Sequence, residues 1–252
     1  MKRSIWNMTL TENSAPPWPC SECGKGLLRL VPKSLSYKET IQSQRAHGEE
    51  AWDPDWIDHA FSAWLKCSHA GCGQEVVVSG VGGVEAWYDN EEGTTGWTPY
   101  FAPKWCSPMP DVFEFPAKCP DDVKKQLRLS FKLFWADQAS AASKVRIALE
   151  RLMDHLGVPK RKKDKNGKLG DLSLHQRIEI FQLGKSAIGS QLMALKWLGN
   201  TGSHESQVSR DDLLDAFEIL EHALSELIDR RSEKVAELAK KLTRKHARRR
   251  KR

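Results

Sequence analysis

The chain has 252 residues, of which 40% are apolar and ten are tryptophan. This composition excludes a disordered chain, and the length favours two domains over one. The net charge of +6 originates in the C-terminal segment, because nine of the 39 Lys and Arg residues lie between positions 240 and 252, where no acidic residue occurs. The rest of the chain has 30 basic and 33 acidic residues, so the folded body is expected to be mildly acidic.

Membrane and export signals are not evident in the sequence. No apolar run approaches the roughly 18 residues that a membrane-spanning helix needs. Polar positions interrupt residues 1–13, so no apolar signal core is formed there. We therefore expect a cytoplasmic protein that does not associate with membranes. In a reducing compartment, its six cysteines favour metal ligands or free thiols over disulfides.

Residues 1–115 are rich in Trp, Pro and Gly and predict a small β-rich domain. Residues 27–30 and 75–78 are predicted strands, followed by a glycine-rich stretch. The proline-rich segment 99–120 predicts an extended linker. Four aromatic residues recur at near-helical spacing and predict one short helix: Trp52, Trp56, Phe61 and Trp64. Most tryptophans are expected to pack this half, although the sequence does not single out any of them as a platform for base stacking.

Residues 116–232 predict an α-helical bundle, so the overall fold class is α+β. Apolar residues at helical spacing predict five helices, which begin near residues 120, 138, 173, 186 and 209. Gly157 predicts the end of the second helix, and Ser209 with an acid three residues later predicts the start of the last. Residues 159–171 are a polar loop. Residues 233–252 are a basic tail or a charged extension of the last helix.

Two cysteine pairs predict a structural zinc site. Cys20 and Cys23 form the first pair, Cys67 and Cys72 the second, and a glycine follows each pair directly. A hairpin knuckle delivers two thiolates at this spacing, and the glycine lets backbone amides turn toward sulfur. Four thiolates close the coordination sphere of zinc, which leaves no open position for chemistry. The 43 residues between the pairs imply an insertion in a zinc-ribbon-like domain.

The alternative interpretation of these cysteines is a set of unrelated buried thiols. His69 lies within the second pair and is available as a substitute ligand, but four thiolates suffice, so His69 is expected to be exposed. Cys106 and Cys119 lack knuckle glycines and are predicted to be free thiols.

The segment 195–204 places Lys196, Asn200 and His204 between two predicted helices. If these side chains converge, they form a phosphate clamp beside a group that titrates near neutral pH. The alternative is a helix C-cap, because Gly and Asn adopt left-handed backbone readily and a nearby histidine satisfies terminal carbonyls. Residue types alone favour the cap.

The basic C-terminal segment is a second candidate site. Its side chains release counterions from phosphate and so bind nucleic acid without reading sequence. The alternative is a solvated helix or a disordered tail. The predicted nucleic-acid contacts are Arg244, Lys245, Arg248, Arg249 and Arg250.

Three segments of the second half, residues 130–135, 141–153 and 195–204, resemble the bacterial HEPN-like domain of unknown function. This domain occurs behind a zinc ribbon or attached to restriction-endonuclease subunits. The resemblance covers about residues 110–230, and the Cys20, Cys23, Cys67 and Cys72 arrangement fits the form with a zinc ribbon. It implies a helical bundle that forms a homodimer.

The resemblance also implies an activity. Active members of the wider HEPN superfamily are metal-independent ribonucleases of antiphage and toxin systems, in which an Arg, a polar residue and a His meet across the dimer interface. His204 matches the histidine, Asn200 the polar residue and Lys196 a basic position, although no arginine lies four to six residues before His204.

Two functions are therefore expected from the sequence. The first is a ribonuclease that binds RNA or a defence-system protein partner. The second is a non-catalytic zinc-ribbon and HEPN-like module that binds DNA, RNA or protein.

Overall fold

The computed structural model describes residues 1–90, 93–163, 165, 167–201 and 208–249, with the backbone alone of residues 200, 201 and 247–249. These residues form α+β structure, as the sequence predicts. They divide into two units. The β unit comprises Lys2–Val112 with Phe131–Asp137, and the helical unit comprises Met1, Phe113–Ser130 and Gln138–Arg252. No helix within the described ranges is both long and apolar enough to cross a membrane.

The β unit is built on a curled, five-stranded antiparallel sheet. Its elements are a 3₁₀ turn (Arg3–Trp6), β1 (Leu28–Leu30), β2 (Ser36–Glu39), α1 (Ile41–Ala46), a 3₁₀ turn (Pro54–Trp56), β3 (His59–Cys67), β4 (Glu75–Asp89) and β5 (Thr94–Ser107). The strand order is β1-β3-β4-β5, and β2 also pairs with β3. The strand predictions at residues 27–30 and 75–78 are confirmed, but β4 continues far beyond the second one.

Two other predictions for this half are wrong. The predicted aromatic helix does not form, because residues 59–67 are strand β3, in which Phe61 is buried and Trp64 is 49% exposed. The predicted linker is also wrong over residues 99–107, which are the second half of β5. Prolines are compatible with β5 because it is the last strand in the sheet order and needs few N–H donors on its outer side.

Three indole rings form the aromatic core of the β unit. Trp18 lies 6.3 Å from Trp6 and 5.0 Å from Trp135 between ring centroids, and all three side chains are at most 1% exposed. The Trp18 indole N–H donates to the Ile5 carbonyl at 2.8 Å. The expectation that most tryptophans pack this half is wrong, because six others are 42–55% exposed: Trp56, Trp64, Trp87, Trp97, Trp105 and Trp197.

The helical unit contains the five predicted helices. Its elements are α2 (Asp121–Leu133), α3 (Gln138–His155), a hairpin of β6 (Arg161–Lys163) and β7 (Leu169–Asp171), α4 (Leu174–Gln182), α5 (Ser186–Thr201), α6 (Arg210–Ile228) and α7 (Arg231–Arg249). The last three residues of α2, from Phe131 onward, belong to the β unit. Gly157 follows α3 with a φ of +71°, and Ser209 caps α6 in a capping box with Asp212. These end and start signals are confirmed.

Helix α5 does not end where the cap interpretation requires. It continues to Thr201, so Gly199 and Asn200 are helical, and the predicted C-cap at these positions is wrong. Gly199 is needed for packing, because a Cβ there would lie 2.6 Å from Cβ of Arg146 on α3. The last helix is also interrupted, since Arg230 has a φ of +53° and α7 is a separate helix.

A buried ion pair ties the C-terminal end of α3 to α4. Arg177 is 5% exposed and donates to Asp154 Oδ1 at 2.8 Å and to the Val158 carbonyl at 3.0 Å. Burial raises the pKa of Asp154, but hydrogen bonds from Lys160 and Arg177 outweigh it, and the pKa is lowered overall.

We expect Arg177→Met to reduce the free energy of unfolding by about 1–2 kcal/mol at neutral pH, because it removes a buried guanidinium that donates to Asp154 and to the Val158 carbonyl, while Lys160 still contacts the carboxylate at 2.9 Å. Asp154 has a lowered folded-state pKa, so its contribution is present above the unfolded pKa of about 4 and is lost as the pH falls through the folded value. The difference in the free energy of unfolding between the variant and the wild type therefore decreases below about pH 4. Urea denaturation at several pH values measures it.

Arg151→Met is the matched control. Arg151 contacts the same carboxylate at 3.6 Å but is 48% exposed, so its loss is expected to cost no more than about 0.5 kcal/mol. Equal destabilisation by the two variants would contradict this assignment.

Candidate metal centre

The first cysteine pair lies in a knuckle that precedes β1. The Cys20 amide donates to the Gly26 carbonyl at 2.8 Å, and the Gly24 amide returns to the Cys20 carbonyl at 3.1 Å. Gly24 has a φ of +61°, a conformation that side chains other than glycine rarely adopt. The glycine after Cys23 therefore has the turn-forming role that the sequence predicts.

The second pair lies in a knuckle that connects β3 to β4. Cys67 ends β3, and its amide donates to the Gln74 carbonyl at 2.9 Å. The Cys72 amide donates to the His69 carbonyl at 3.0 Å, and Gly73 has a φ of +67°. The two knuckles thus share one construction.

Pairing between β1 and β3 brings the knuckles together. Leu28 lies opposite Cys67 in the sheet register. Beyond the strands, the Ser68 amide donates to the Leu27 carbonyl at 2.9 Å, and the Leu27 amide donates to the Ser68 hydroxyl at 3.0 Å. These bonds fix one knuckle above the other.

The four sulfur atoms form a cluster whose dimensions match a tetrahedral metal site. The Sγ atoms of Cys20, Cys23, Cys67 and Cys72 all lie within 4.8 Å of one another. The Cys20–Cys72 and Cys23–Cys67 Sγ distances are both 3.7 Å. Zinc–sulfur bonds of about 2.3 Å in a tetrahedron place sulfur atoms about 3.8 Å apart, whereas a disulfide bond is about 2.05 Å long. The predicted convergence of these four cysteines is confirmed.

Backbone amides around the cluster favour thiolates. The amides of Gly26 and Lys25 lower the pKa of Cys23 to about 6. Burial raises the pKa of Cys67 to about 12, although the His69 amide, 3.4 Å from its sulfur, acts in the opposite direction. Four adjacent thiolates repel one another, so full ionisation of the cluster requires a bound cation. The donor set suits zinc or another metal ion that accepts four thiolates.

The remaining candidate ligands stay outside the cluster. His69 is exposed, as predicted. Cys106 and Cys119 are buried free thiols, and burial raises their pKa values to about 12 and about 11.

Sequence reasoning missed one residue of this centre, Gly26. A Cβ at this position would lie 2.4 Å from Sγ of Cys67 and 2.8 Å from the His69 amide nitrogen. Only glycine lets the first knuckle approach the second this closely. The sequence shows this second glycine two residues after Gly24. The constraint on it comes from Cys67 and His69 in the other knuckle, which the sequence does not show to be close.

The other predicted site residues lie in the helical unit. Lys196 on α5 is 8% exposed, and its Nζ lies 3.5 Å from the centroid of the Trp197 ring. Asn200 is in the last turn of α5, and His204 lies outside the described residues. Of the predicted nucleic-acid contacts, Arg244 and Lys245 are exposed on α7, Arg248 and Arg249 are described by their backbone on α7, and Arg250 lies outside the described residues.

A second missed residue is Arg146 on α3. Its Cβ and Cδ would lie 2.6 Å and 3.5 Å from a Cβ at Gly199, so its side chain runs along the last turn of α5. Its Nη2 lies 3.4 Å from Glu150 Oε1, and its buried Nε has no hydrogen-bond partner among the described residues. Sequence spacing could not identify this residue, because Arg146 and Gly199 are 53 positions apart.

Comparison with known protein families gives two matches. A domain of unknown function, DUF8608, matches residues 8–106, which include all four cysteines of the cluster. A second domain of unknown function, DUF4145, matches residues 129–248, which include Arg146, Lys196, Asn200 and His204. No curated protein and no solved structure matches the chain. Each half therefore resembles a domain for which no function is described.

We expect the purified protein to contain about one zinc ion per chain and the Cys67→Ser variant to contain almost none, because three thiolates do not close the site. The variant also unfolds at a lower temperature, since metal binding contributes to folding. Elemental analysis and thermal melting measure these effects. Cys106→Ser, a buried cysteine outside the cluster, is the control and retains zinc. Unchanged zinc content in Cys67→Ser would refute the site.

Gly26→Ala is expected to weaken zinc retention in competition with a chelator by about tenfold or more, because the added methyl group displaces Cys67. Gly71→Ala is the control: its Cβ would have its nearest neighbour, Cε1 of His69, at 3.6 Å, an ordinary contact. Equal zinc retention in both variants would show that the close contact between Gly26 and Cys67 is not required for metal binding.

Proposed function

We propose that this protein is a metal-independent ribonuclease of the HEPN-like kind that acts in bacterial antiphage defence or a toxin system. The observation that carries the proposal is the packing of Arg146 against Gly199 in the last turn of α5. The sequence has no arginine at the expected spacing before His204. Helix α3 supplies a guanidinium group directly beside the turn that contains Asn200.

The surroundings of Arg146 suit a phosphate ligand. Its guanidinium is always charged and offers donors in a planar fork that matches a phosphate group. The side chain is 43% exposed and its Nε has no acceptor among the described residues, so this donor is free to bind a ligand or water. Lys196 lies three residues before Gly199 and adds a second cation on a neighbouring face of α5. His204 follows Thr201 by three residues, a length of chain that spans at most about 10 Å.

The proposed reaction is an intramolecular transesterification of RNA. The ribose 2′-oxygen attacks the adjacent phosphorus, the bond from phosphorus to the 5′-oxygen breaks, and the 2′-hydroxyl proton is transferred to the leaving 5′-oxygen. His204 takes the proton from the 2′-hydroxyl or delivers it to the leaving oxygen. Arg146, Lys196 and Asn200 bind the phosphate and stabilise its charge. The products are a 2′,3′-cyclic phosphate and a 5′-hydroxyl.

In this proposal the cysteine cluster holds a zinc ion that is structural, because four sulfur ligands leave it no open position. The basic segment that includes Arg244 and Lys245 attracts RNA through its phosphates. Two copies of the helical unit form a homodimer that brings the two His204 segments to one cleft.

One observation favours a second candidate, a non-catalytic module that binds nucleic acid or a defence-system protein. Lys196 is 8% exposed and its ammonium lies against the Trp197 ring, which favours a packing role for this cation over phosphate binding. On this alternative, the α3–α5 contact is structural and RNA is bound without being cut.

Cleavage of end-labelled RNA in buffer without divalent cations distinguishes the two candidates. We expect His204→Ala to lower the rate by at least about 100-fold and Arg146→Gln by about tenfold or more, because they remove proton transfer and phosphate stabilisation. Zinc content and circular dichroism confirm that each variant is folded.

The control is Arg151→Gln, which removes the same charge from an exposed position of α3 and is expected to leave cleavage unchanged. Binding of RNA without cleavage by the wild type at any concentration would support the non-catalytic module. Full activity of His204→Ala would also overturn the ribonuclease proposal.

A further inference from the structure

The outer face of the five-stranded sheet carries two exposed tryptophans, one on each of the strands that flank β4: Trp64 on β3 and Trp105 on β5. In β3, the buried residues Phe61, Ala63 and Leu65 point to the core, so Trp64 points outward. The register places Trp64 opposite Val77 and Trp105 opposite Ser79. Opposed residues share a face, so both indole rings lie on the outer side of the sheet.

The spacing of these rings leaves room for a flat ligand on each. Trp64 and Trp105 are two strands and two residue steps apart, which corresponds to about 12 Å between their Cα atoms at standard strand spacing and rise. On β4, the residues of this face between the two rings are Val77, opposite Trp64, and Ser79, opposite Trp105, and neither has a long side chain. The tryptophans are 49% and 47% exposed, and among the described residues neither ring stacks on another aromatic ring.

A β-bulge adds a basic residue beside Trp105. The pairing of β4 with β5 shifts between Ser79 and Gly80, which leaves Lys104 without a partner in the register. A bulge changes the direction in which neighbouring side chains point, and here the consecutive residues Lys104 and Trp105 are both exposed.

Basic residues predominate around the two rings. Arg29 lies opposite Lys66, next to Trp64, and Lys38 lies opposite Ala60 on the same face. Lys66 has an exposed ion pair with Glu75 at 3.3 Å. Among the described residues, no acidic partner is found for Arg29, Lys38 or Lys104. This part of the outer face is therefore positive, although the chain outside its C-terminal segment is mildly acidic.

We propose that this outer face, defined by Trp64, Trp105, Arg29 and Lys104, binds single-stranded nucleic acid. Bases stack on the two indole rings, and the basic side chains neutralise the phosphates between and beside them. Exposed aromatic rings alone are compatible with a protein partner, but lysine is depleted in the core of protein interfaces, and the unpaired charges favour a polyanion. The site is in the β unit and does not depend on cleavage at His204.

Binding of a fluorescently labelled 12-nucleotide oligo(dT) to the full-length protein tests the proposal. This DNA has no 2′-hydroxyl, so it measures binding whether or not the protein cleaves RNA. We expect Trp64→Ala and Trp105→Ala each to raise the Kd about tenfold through loss of stacking, and Trp64→Phe to retain most of the affinity. Arg29→Gln and Lys104→Gln each weaken binding and reduce the slope of log K against log salt by about one.

Trp87→Ala and Trp97→Ala are matched controls, because these residues are 45% and 42% exposed on the distal part of the β4–β5 hairpin. They are expected to bind oligo(dT) as the wild type does. Zinc content and circular dichroism identify any variant that fails to fold. Wild-type affinity in the Trp64→Ala, Trp105→Ala double variant would assign binding to the basic C-terminal segment and overturn the proposal. So would absence of binding at low salt, which would leave the face to a protein partner.

Discussion

The central physical constraint on the β unit is the convergence of four cysteine sulfur atoms, whose thiolates repel one another unless a cation lies between them. The first cysteine knuckle is attached to the sheet by the three-residue strand β1 and few other backbone hydrogen bonds. Sulfur atoms 3.7 Å apart do not stay ionised together without a positive charge between them. A metal ion bound by these four cysteines would close a loop of more than 40 residues, which includes β2, α1 and β3, and would fix the end of β3 that precedes the long β4–β5 hairpin.

Features determined by local chemistry could be predicted from the sequence. Cysteine spacing with a following glycine identified both knuckles, because a tight turn toward sulfur requires left-handed backbone at Gly24 and Gly73. Gly157 and Ser209 marked helix boundaries for similarly local reasons. The spacing of Phe61 and Trp64 led to the wrong prediction of a helix. Three residues approximate one helical turn, but in a strand the same spacing places the two side chains on opposite faces.

Features determined by topology could not be predicted in this way. Gly26 is constrained by a sulfur atom 41 positions away, and Gly199 by a side chain on another helix. Trp64 and Trp105 share a face only because β4 separates their strands and a bulge sets the register. Composition identified the basic segment near the C-terminus. The positive region of the sheet consists of single basic residues on four strands, and the mildly acidic composition of the rest of the chain gave no sign of it.

The position of Trp135 means that the boundaries of the matched families do not coincide with the boundaries of the packed units. The residues that match DUF4145 begin at 129, yet Phe131–Asp137 belong to the β unit, where Trp135 completes the cluster with Trp6 and Trp18. A fragment that ends at residue 115 would lose one of the three indoles that pack together, and a fragment that starts at 129 would expose that indole to water. The modules of this chain are therefore not interchangeable parts, and a change of partner domain during evolution would require a replacement for that one side chain.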